Sequence, residues 1–344
     1  MPYHNRATGF GCLLVSLPDS TSKHHLHAVH ALRGVAALSV AWFHFTHGNE
    51  IFAAYGGWLV ALGNHGWAGV EIFFVISGFI VPLSMHRAGY HWRHLWAFIG
   101  KRLARVEPPY LLSIVSILIL NSLSSMHPAF KGSPFVLDWA QITPHFLYLV
   151  EIMDKVWLNP VYWSLAIEFQ YYLYIMITLP FIQGRGLGLW VTLLLPLVLS
   201  YWGGHFLPQY WHFFLFGLLA FRRYSGLAST VENRWFVVPL TIYCYSASGI
   251  ALTILALSSW IIVQLPFPRI NWLAFLGTIS YSLYLLHVPI GGRVINIAIR
   301  FVDSVWEQWL AVFIATAASI MASYVFFRVV EYPSQLLAAK IRYR

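Results

Sequence analysis

Arg33 and His44 lie eleven residues apart in the apolar stretch "LRGVAALSVAWFHF". Eleven residues make about three turns of helix, so both side chains would face one way, roughly 16 Å apart along the axis. An imidazole titrates near neutrality, which suits a general base or a transient acyl carrier. A guanidinium suits an anion. Other ionisable residues recur inside apolar blocks. Glu71 stands near the start of "GVEIFFVISGF", ahead of Ser77 and Gly78; Glu168 follows Trp163 by five residues; His287 ends "SYSLYLLH", which also holds Tyr281. A charge in hydrocarbon costs at least about 2.5–3.5 kcal/mol on insertion scales, so such residues face a cavity or a partner. Plainer readings stand beside these: Arg33 as a helix anchor, His44 as a packing histidine, and Ser77–Gly78 as small residues that let helices approach. Glu168 needs a cation or a proton, and His44 is a candidate because both fall toward the outer half.

A cationic cluster of Arg87, Arg93, Lys101, Arg102 and Arg105 follows the second apolar block. Arg102 and Arg105 are neighbours on one helix face, ahead of a break expected at Pro108–Pro109. Their guanidinium forks could take a polyphosphate, or simply mark a cytoplasmic boundary. Arg328 and Glu331 close the last apolar block, where an ion pair is the simplest account. His205 and His212 read as interfacial.

The elements that must position these residues follow from composition. The chain has 344 residues, 59% hydrophobic and only 10% charged, against about 25% charged in soluble domains. Soluble enzymes, DNA-binding domains, secreted scaffolds and disordered chains are excluded. The formal charge of +9 sits in short gaps between apolar runs, which points to membrane topology and not to nucleic acid. Cys12 and Cys244 fit no metal or disulfide spacing, and the His24, His25, His27, His30 tract is too weak a pattern to imply a metal.

Crossing the hydrocarbon core takes about 20 apolar residues. Candidate spans lie near 31–48, 68–86, 109–125, 161–182, 187–203, 205–222, 235–246, 248–265, 273–290 and 308–330, the stretch 235–265 being readable as one long helix or two short ones. Positive charge favours the cytoplasmic side. With ten spans, only Lys131, Lys155, Arg293 and Arg300 of the 21 lysines and arginines fall outside. The expectation is an all-α polytopic membrane bundle of about ten transmembrane helices with both termini cytoplasmic. Residues 1–29 would form a poorly ordered cytoplasmic tail, 30–335 one membrane domain, and 336–344 a basic cytoplasmic tail. The connection at 126–160, with its short apolar "HFLYLV", would pack outside over the membrane surface.

The ordered motifs carry a resemblance. R-G-x-A-A…H runs from Arg33 to His44, "GVEIFFVISGF" from Gly69 to Phe79, and R-x-x-R with P-x-Y from Arg102 to Tyr110; W-S-L-x-x-E spans Trp163 to Glu168, "SYSLYLLH" Ser280 to His287, and V-E-x-P Val330 to Pro333. In this order they resemble the acyltransferase-3 family, integral membrane enzymes that move acetyl or other short acyl groups onto sugars and related hydroxyl acceptors. Members commonly carry an acid three residues before the first arginine; here that position is His30. The resemblance implies an O-acetyltransferase of the plasma (inner) membrane, using acetyl-CoA or another short acyl-CoA and a saccharide or lipid-linked saccharide of the cell envelope, with no metal and no nucleic acid, and compatible with a homo-oligomer. His44, Glu168 and Arg33 would be catalytic. Arg102, Arg105, Arg33, Ser77 and Gly78 would hold the donor, with Glu71, Trp163, Tyr281 and His287 as further polar pocket residues. From the residues alone a second class stays open: a multi-span transporter or flippase with an intramembrane Arg/His/Glu pathway, although no inverted repeat supports it.

Overall fold

Long apolar runs favour helices because each helix satisfies its own backbone amides without water. The computed structural model describes residues 20–128 and 135–343, and among them every regular element is a helix. α1 (Ser20–His47) is followed by the short α2 (Glu50–Ala54) and α3 (Gly57–Gly63), then by α4 (Gly69–Arg87). Next come α5 (Leu95–Ser125), the short α6 (Trp139–Ile142), α7 (Tyr162–Ile182), α8 (Leu187–Leu199) and α9 (Leu207–Tyr224). α10 (Thr230–Ile262) precedes α11 (Asn271–Leu286), which runs into a π-helical turn at His287–Gly292 and then α12 (Arg293–Ala298). α13 (Val305–Phe326) runs through a second π-helical turn at Phe327–Glu331 into α14 (Tyr332–Lys340).

Seven helical stretches among the described residues are long and apolar enough to cross a membrane, and Leu187–Trp202 is a shorter apolar one. The first helix begins at Ser20, ahead of the span expected at 31; the rest of the expected tail, with Cys12, and Lys131 lie outside the described residues. Pro108 and Pro109 do not break the chain: α5 continues through both.

The stretch 230–262 is two helices joined at Gly249, whose φ of 78° and ψ of 176° are non-helical. Contacts with α9 show that the chain reverses there. Arg222 near the end of α9 meets Glu232 (3.1 Å), while Arg223 donates to Gln264 Oε1 at 3.2 Å. Near the start of α9, the His212 Nε2 meets Ser248 Oγ at 2.9 Å. Both ends of α10 therefore pack at one end of α9 and its middle at the other. His212, expected at an interface, is buried in this contact.

Proline inside a helix leaves the carbonyl four residues earlier without its partner. Neighbouring side chains supply the missing donors. Tyr90 Oη donates to the Met176 carbonyl (2.7 Å) opposite Pro180, and Tyr174 Oη to the Thr192 carbonyl (2.6 Å) opposite Pro196. Asn159 Nδ2 donates to the Leu285 carbonyl (3.1 Å) opposite Pro289. These bonds tie helices together where apolar packing alone gives no register.

The 126–160 connection goes deeper than expected. Tyr148, in the left-handed region (φ 57°), stacks between Tyr110 (4.9 Å) and Phe169 (5.0 Å) and donates to Glu107 Oε1 at 2.8 Å. Its aromatic ring fills the gap between α5 and α7. His145 braces the segment: its Nδ1 meets the Gln141 carbonyl at 3.1 Å, and its Nε2 accepts from the Leu158 amide at 3.0 Å. That arrangement requires a neutral ring, and burial lowers the imidazole pKa in the same direction.

α1 packs on α11 and α4 on α9 through glycines. A Cβ at Gly217 would sit 2.1 Å from the Val75 carbonyl oxygen, and one at Gly78 2.2 Å from that of Phe214. Gly217→Val should therefore force backbone apart and destabilise the protein by about 1–3 kcal/mol, read as a lower thermal midpoint in detergent. An unchanged midpoint would show that the two helices can separate freely.

Candidate active site

α1, α4, α5, α7 and α11, with the second π-helical turn, surround an internal cavity of about 920 Å³ of empty space, including the part open to solvent. Arg33, Arg102 and Arg105 all line it, together with Ser77, Glu168, Tyr172, Ser280, Tyr281, Tyr284 and Glu331. The two families of explanation for the cationic cluster thus separate by residue. Arg102 and Arg105 face the cavity, whereas Arg87 bonds Tyr224 (3.2 Å) and Lys101 lies over the Tyr343 ring (5.7 Å).

Each cavity guanidinium is held differently. Arg33 Nε donates to Ser280 Oγ at 3.0 Å. Arg102 donates to Ser84 Oγ at 3.2 Å and lies over the rings of Phe98 (5.3 Å) and Tyr172 (5.2 Å), an arrangement that suits a weakly hydrated guanidinium. Arg105 is surrounded by protein, its accessible surface opening into the cavity, within electrostatic range of Arg33, Arg102 and Glu331.

Two carboxylates answer this charge. Glu331 is buried and accepts from the Ser282 hydroxyl (2.5 Å), the Ser282 amide (3.1 Å) and Gln335 Nε2 (3.0 Å). It does not pair with Arg328, which is exposed; the π-helical turn aims Glu331 inward, toward Arg33 and Arg105. Among the described residues the one ion pair within 4.0 Å is Arg222–Glu232. Glu168 accepts from Ser77 Oγ and from Tyr172 Oη, both at 2.7 Å. The pairing expected between Glu168 and His44 is not made. Glu168 stands on the cavity side of α7, linked through Tyr172 to Arg102.

His44 has another partner. Its Nδ1 lies 2.9 Å from the Val40 carbonyl and 3.2 Å from the Nε2 of His287. His287 is fully buried, with Tyr284 (6.0 Å between centroids) and Phe45 (6.3 Å) against its ring. Neither histidine lines the cavity. Tyr284, which does, stands between it and His287 and is tethered to Ser164 Oγ (2.6 Å) and the Val161 carbonyl (3.1 Å).

The family model described as an acyltransferase domain covers residues 26–328. The chain belongs to the acyltransferase-3 family. No curated protein and no solved structure matches it. Membership decides between the enzyme and the carrier readings: this is a multi-pass membrane acyltransferase.

Not every residue expected at the acyltransferase site is there. Gly78 faces α9 and does not line the cavity, because the next residue along a helix points about 100° away from Ser77. Trp163 does not line the cavity either; it packs at a tilt against Tyr210 (5.1 Å) and edge-on against Phe74 (6.3 Å), and Glu71 is buried with Oε2 lacking a hydrogen-bond partner. Tyr281 lines the cavity and donates to the Val106 carbonyl at 3.0 Å. Sequence reasoning passed over Ser280, Tyr172, Tyr284 and the inward aim of Glu331. Three of these lie within the quoted motifs, so the signal was present, but the face each residue takes was not. Among the described residues no group of three or more His, Cys, Asp or Glu could hold a metal ion.

Because Glu331 is buried beside guanidiniums and Arg328 is exposed, Glu331→Leu should lower the folded yield far more than Arg328→Leu. Equal yields, measured by size-exclusion chromatography of the solubilised variants, would return Glu331 to a surface role.

Proposed function

We propose that this acyltransferase takes an acetyl or other short acyl group from cytoplasmic acyl-CoA and passes it to a hydroxyl of a cell-envelope or exported saccharide, from within the plasma membrane. One observation carries the reading: three guanidiniums, Arg33, Arg102 and Arg105, open into one cavity inside an apolar bundle. Like charges that share one cavity repel one another, and three guanidiniums against two carboxylates leave room for an anionic ligand. The phosphates of a coenzyme A thioester have that charge, and the rest of the cavity, with Phe73, Ile76 and Ile80 in its wall, suits an uncharged pantetheine arm.

The reversal of the chain at Gly249 supports ten crossings with both termini cytoplasmic. In that frame the guanidiniums lie toward the cytoplasm and His44 toward the outside, roughly 16 Å higher along α1. The thioester would reach His44 past the Tyr284 ring. His44 would then accept the proton of the acceptor hydroxyl, or carry the acyl group in passing. The oxygen attacks the thioester carbonyl carbon, the C–S bond breaks, and the CoA sulfur leaves with the proton. Glu168 holds Ser77 and Tyr172 in the cavity wall, where its charge balances Arg102.

His44→Ala should abolish CoA release from acetyl-CoA in vesicles of the source membrane while the protein still inserts. Arg102→Ala combined with Arg105→Ala should raise the KM for acetyl-CoA at least about tenfold, since charge-assisted hydrogen bonds are worth about 1.5–3 kcal/mol each. Full activity in the first variant or an unchanged donor KM in the second would sink the corresponding assignment.

A further inference from the structure

Hydrogen-bond geometry determines which ring nitrogens of His44 and His287 carry protons. A carbonyl oxygen only accepts. The His287 Nδ1, 3.0 Å from the Leu283 carbonyl, therefore bears hydrogen, and so does the His44 Nδ1, 2.9 Å from the Val40 carbonyl. The same His44 Nδ1–H also faces the His287 Nε2 at 3.2 Å. Two N–H groups cannot face each other at that distance, so the His287 Nε2 offers its lone pair and His287 is neutral. His44 shares its single Nδ1–H between Val40 and His287, and its own Nε2 is left as the one nitrogen able to take a proton.

We propose that His287 is a positioning residue for His44: beside the Val40 carbonyl it is the second acceptor of the His44 Nδ1–H, and it helps to hold that ring in the Nδ1–H tautomer with Nε2 as the reactive nitrogen. The inference rests on the reading of His44 as the group that acts on the acyl acceptor, and it holds whether Nε2 takes a proton or an acyl group. The positioning itself moves no proton: His287 accepts the His44 Nδ1–H bond at Nε2 and gives its own Nδ1–H to the Leu283 carbonyl. His287 thereby fills the role that a carboxylate fills in a serine–histidine–aspartate arrangement, where the acid fixes the tautomer. A neutral acceptor suits this place better than an acid would, since an aspartate at mid-membrane costs about 2.5–3.5 kcal/mol on insertion scales.

The surroundings are built to hold the ring still. His287 opens the π-helical turn, a geometry that recurs at functional positions. Pro289 withdraws an amide from the Leu285 carbonyl, and Asn159 Nδ2 replaces it at 3.1 Å, anchoring the turn to the chain ahead of α7. Gly291 admits α1: a Cβ there would lie 2.3 Å from Phe45 Cε1 and 2.5 Å from Ser319 Oγ. Phe45 and Tyr284 then close on the His287 ring, which is fully buried.

The direct test is nitrogen NMR of the full-length protein labelled with ¹⁵N-histidine in nanodiscs, which reports tautomers without any variant. Both rings should carry hydrogen on Nδ1 and none on Nε2. A Nε2–H tautomer for His44, or a charged His287, would overturn the proposal. Two substitutions extend the test. His287→Phe keeps a ring but offers no acceptor, leaving the Val40 carbonyl as the one partner of the His44 Nδ1–H, so the share of the Nε2–H tautomer should rise; His287→Gln restores an acceptor oxygen and should lower that share again. CoA release from acetyl-CoA in source-membrane vesicles should follow the same order. The kcat should fall at least about tenfold in His287→Phe, a part of the 10²–10⁴ that a positioned base supplies, with the acetyl-CoA KM unchanged and partial recovery in His287→Gln. A loss confined to KM, or equal losses in both variants, would reduce His287 to packing. Activity surviving in His44→Ala would instead remove the reading of His44, while the tautomer measurement would still decide the contact between the rings.

Discussion

A guanidinium among apolar helices loses part of its hydration, so the chain itself must answer much of its charge. Arg33, Arg102 and Arg105 pose that demand together, and much of the bundle can be read as its solution. A serine hydroxyl meets Arg33, two aromatic rings and a serine meet Arg102, and Arg105 looks across the cavity toward Glu331. These partners come from five parts of the chain, which must converge for any of them to work. The close glycine contacts between α4 and α9 and between α1 and α11 allow that convergence. The cavity persists because filling it with apolar side chains would strand the three charges.

The same economy governs the backbone. Prolines at 180, 196 and 289 each remove a donor, and a tyrosine or asparagine from another segment supplies one. The two π-helical turns serve the site more directly. One begins with His287, which meets His44, and the other ends with Glu331, which lines the cavity. Each turn shifts its polar side chain off the register of the preceding helix, and so turns it toward α1 instead of toward lipid or the surface. The carboxylate facing Arg33 comes from Glu331, at the end of the second π-helical turn.

Reading the chain in order recovered the membrane class, most of the helices and part of the cavity's lining, because these depend on local hydropathy and on residue types inside it. Arg33, Ser77, Arg102, Arg105, Glu168 and Tyr281 were all anticipated and all line one cavity. Their partners were not. Glu168 looked like a match for His44 because both fell toward the outer half, yet Ser77 and Tyr172 hold it. Glu331 looked like a match for Arg328, three residues away, until a π-helical turn changed the face it takes. Pro108–Pro109 looked like a break and lies within one helix. The "HFLYLV" segment, too short to span, wedges Tyr148 between two helices that sequence alone could not show to be neighbours.

Which residues avoid water, which charges sit in hydrocarbon and where glycine and proline interrupt are properties of the chain as written, and they set the class of protein and the cast of the site. Who meets whom is a different matter. A helix turns its side chains through all directions every 3.6 residues, so one non-helical glycine at 249 or one widened turn at 287 reassigns partners far away in sequence. That is why the contact between His44 and His287, separated by 243 positions, belongs to the tertiary structure alone.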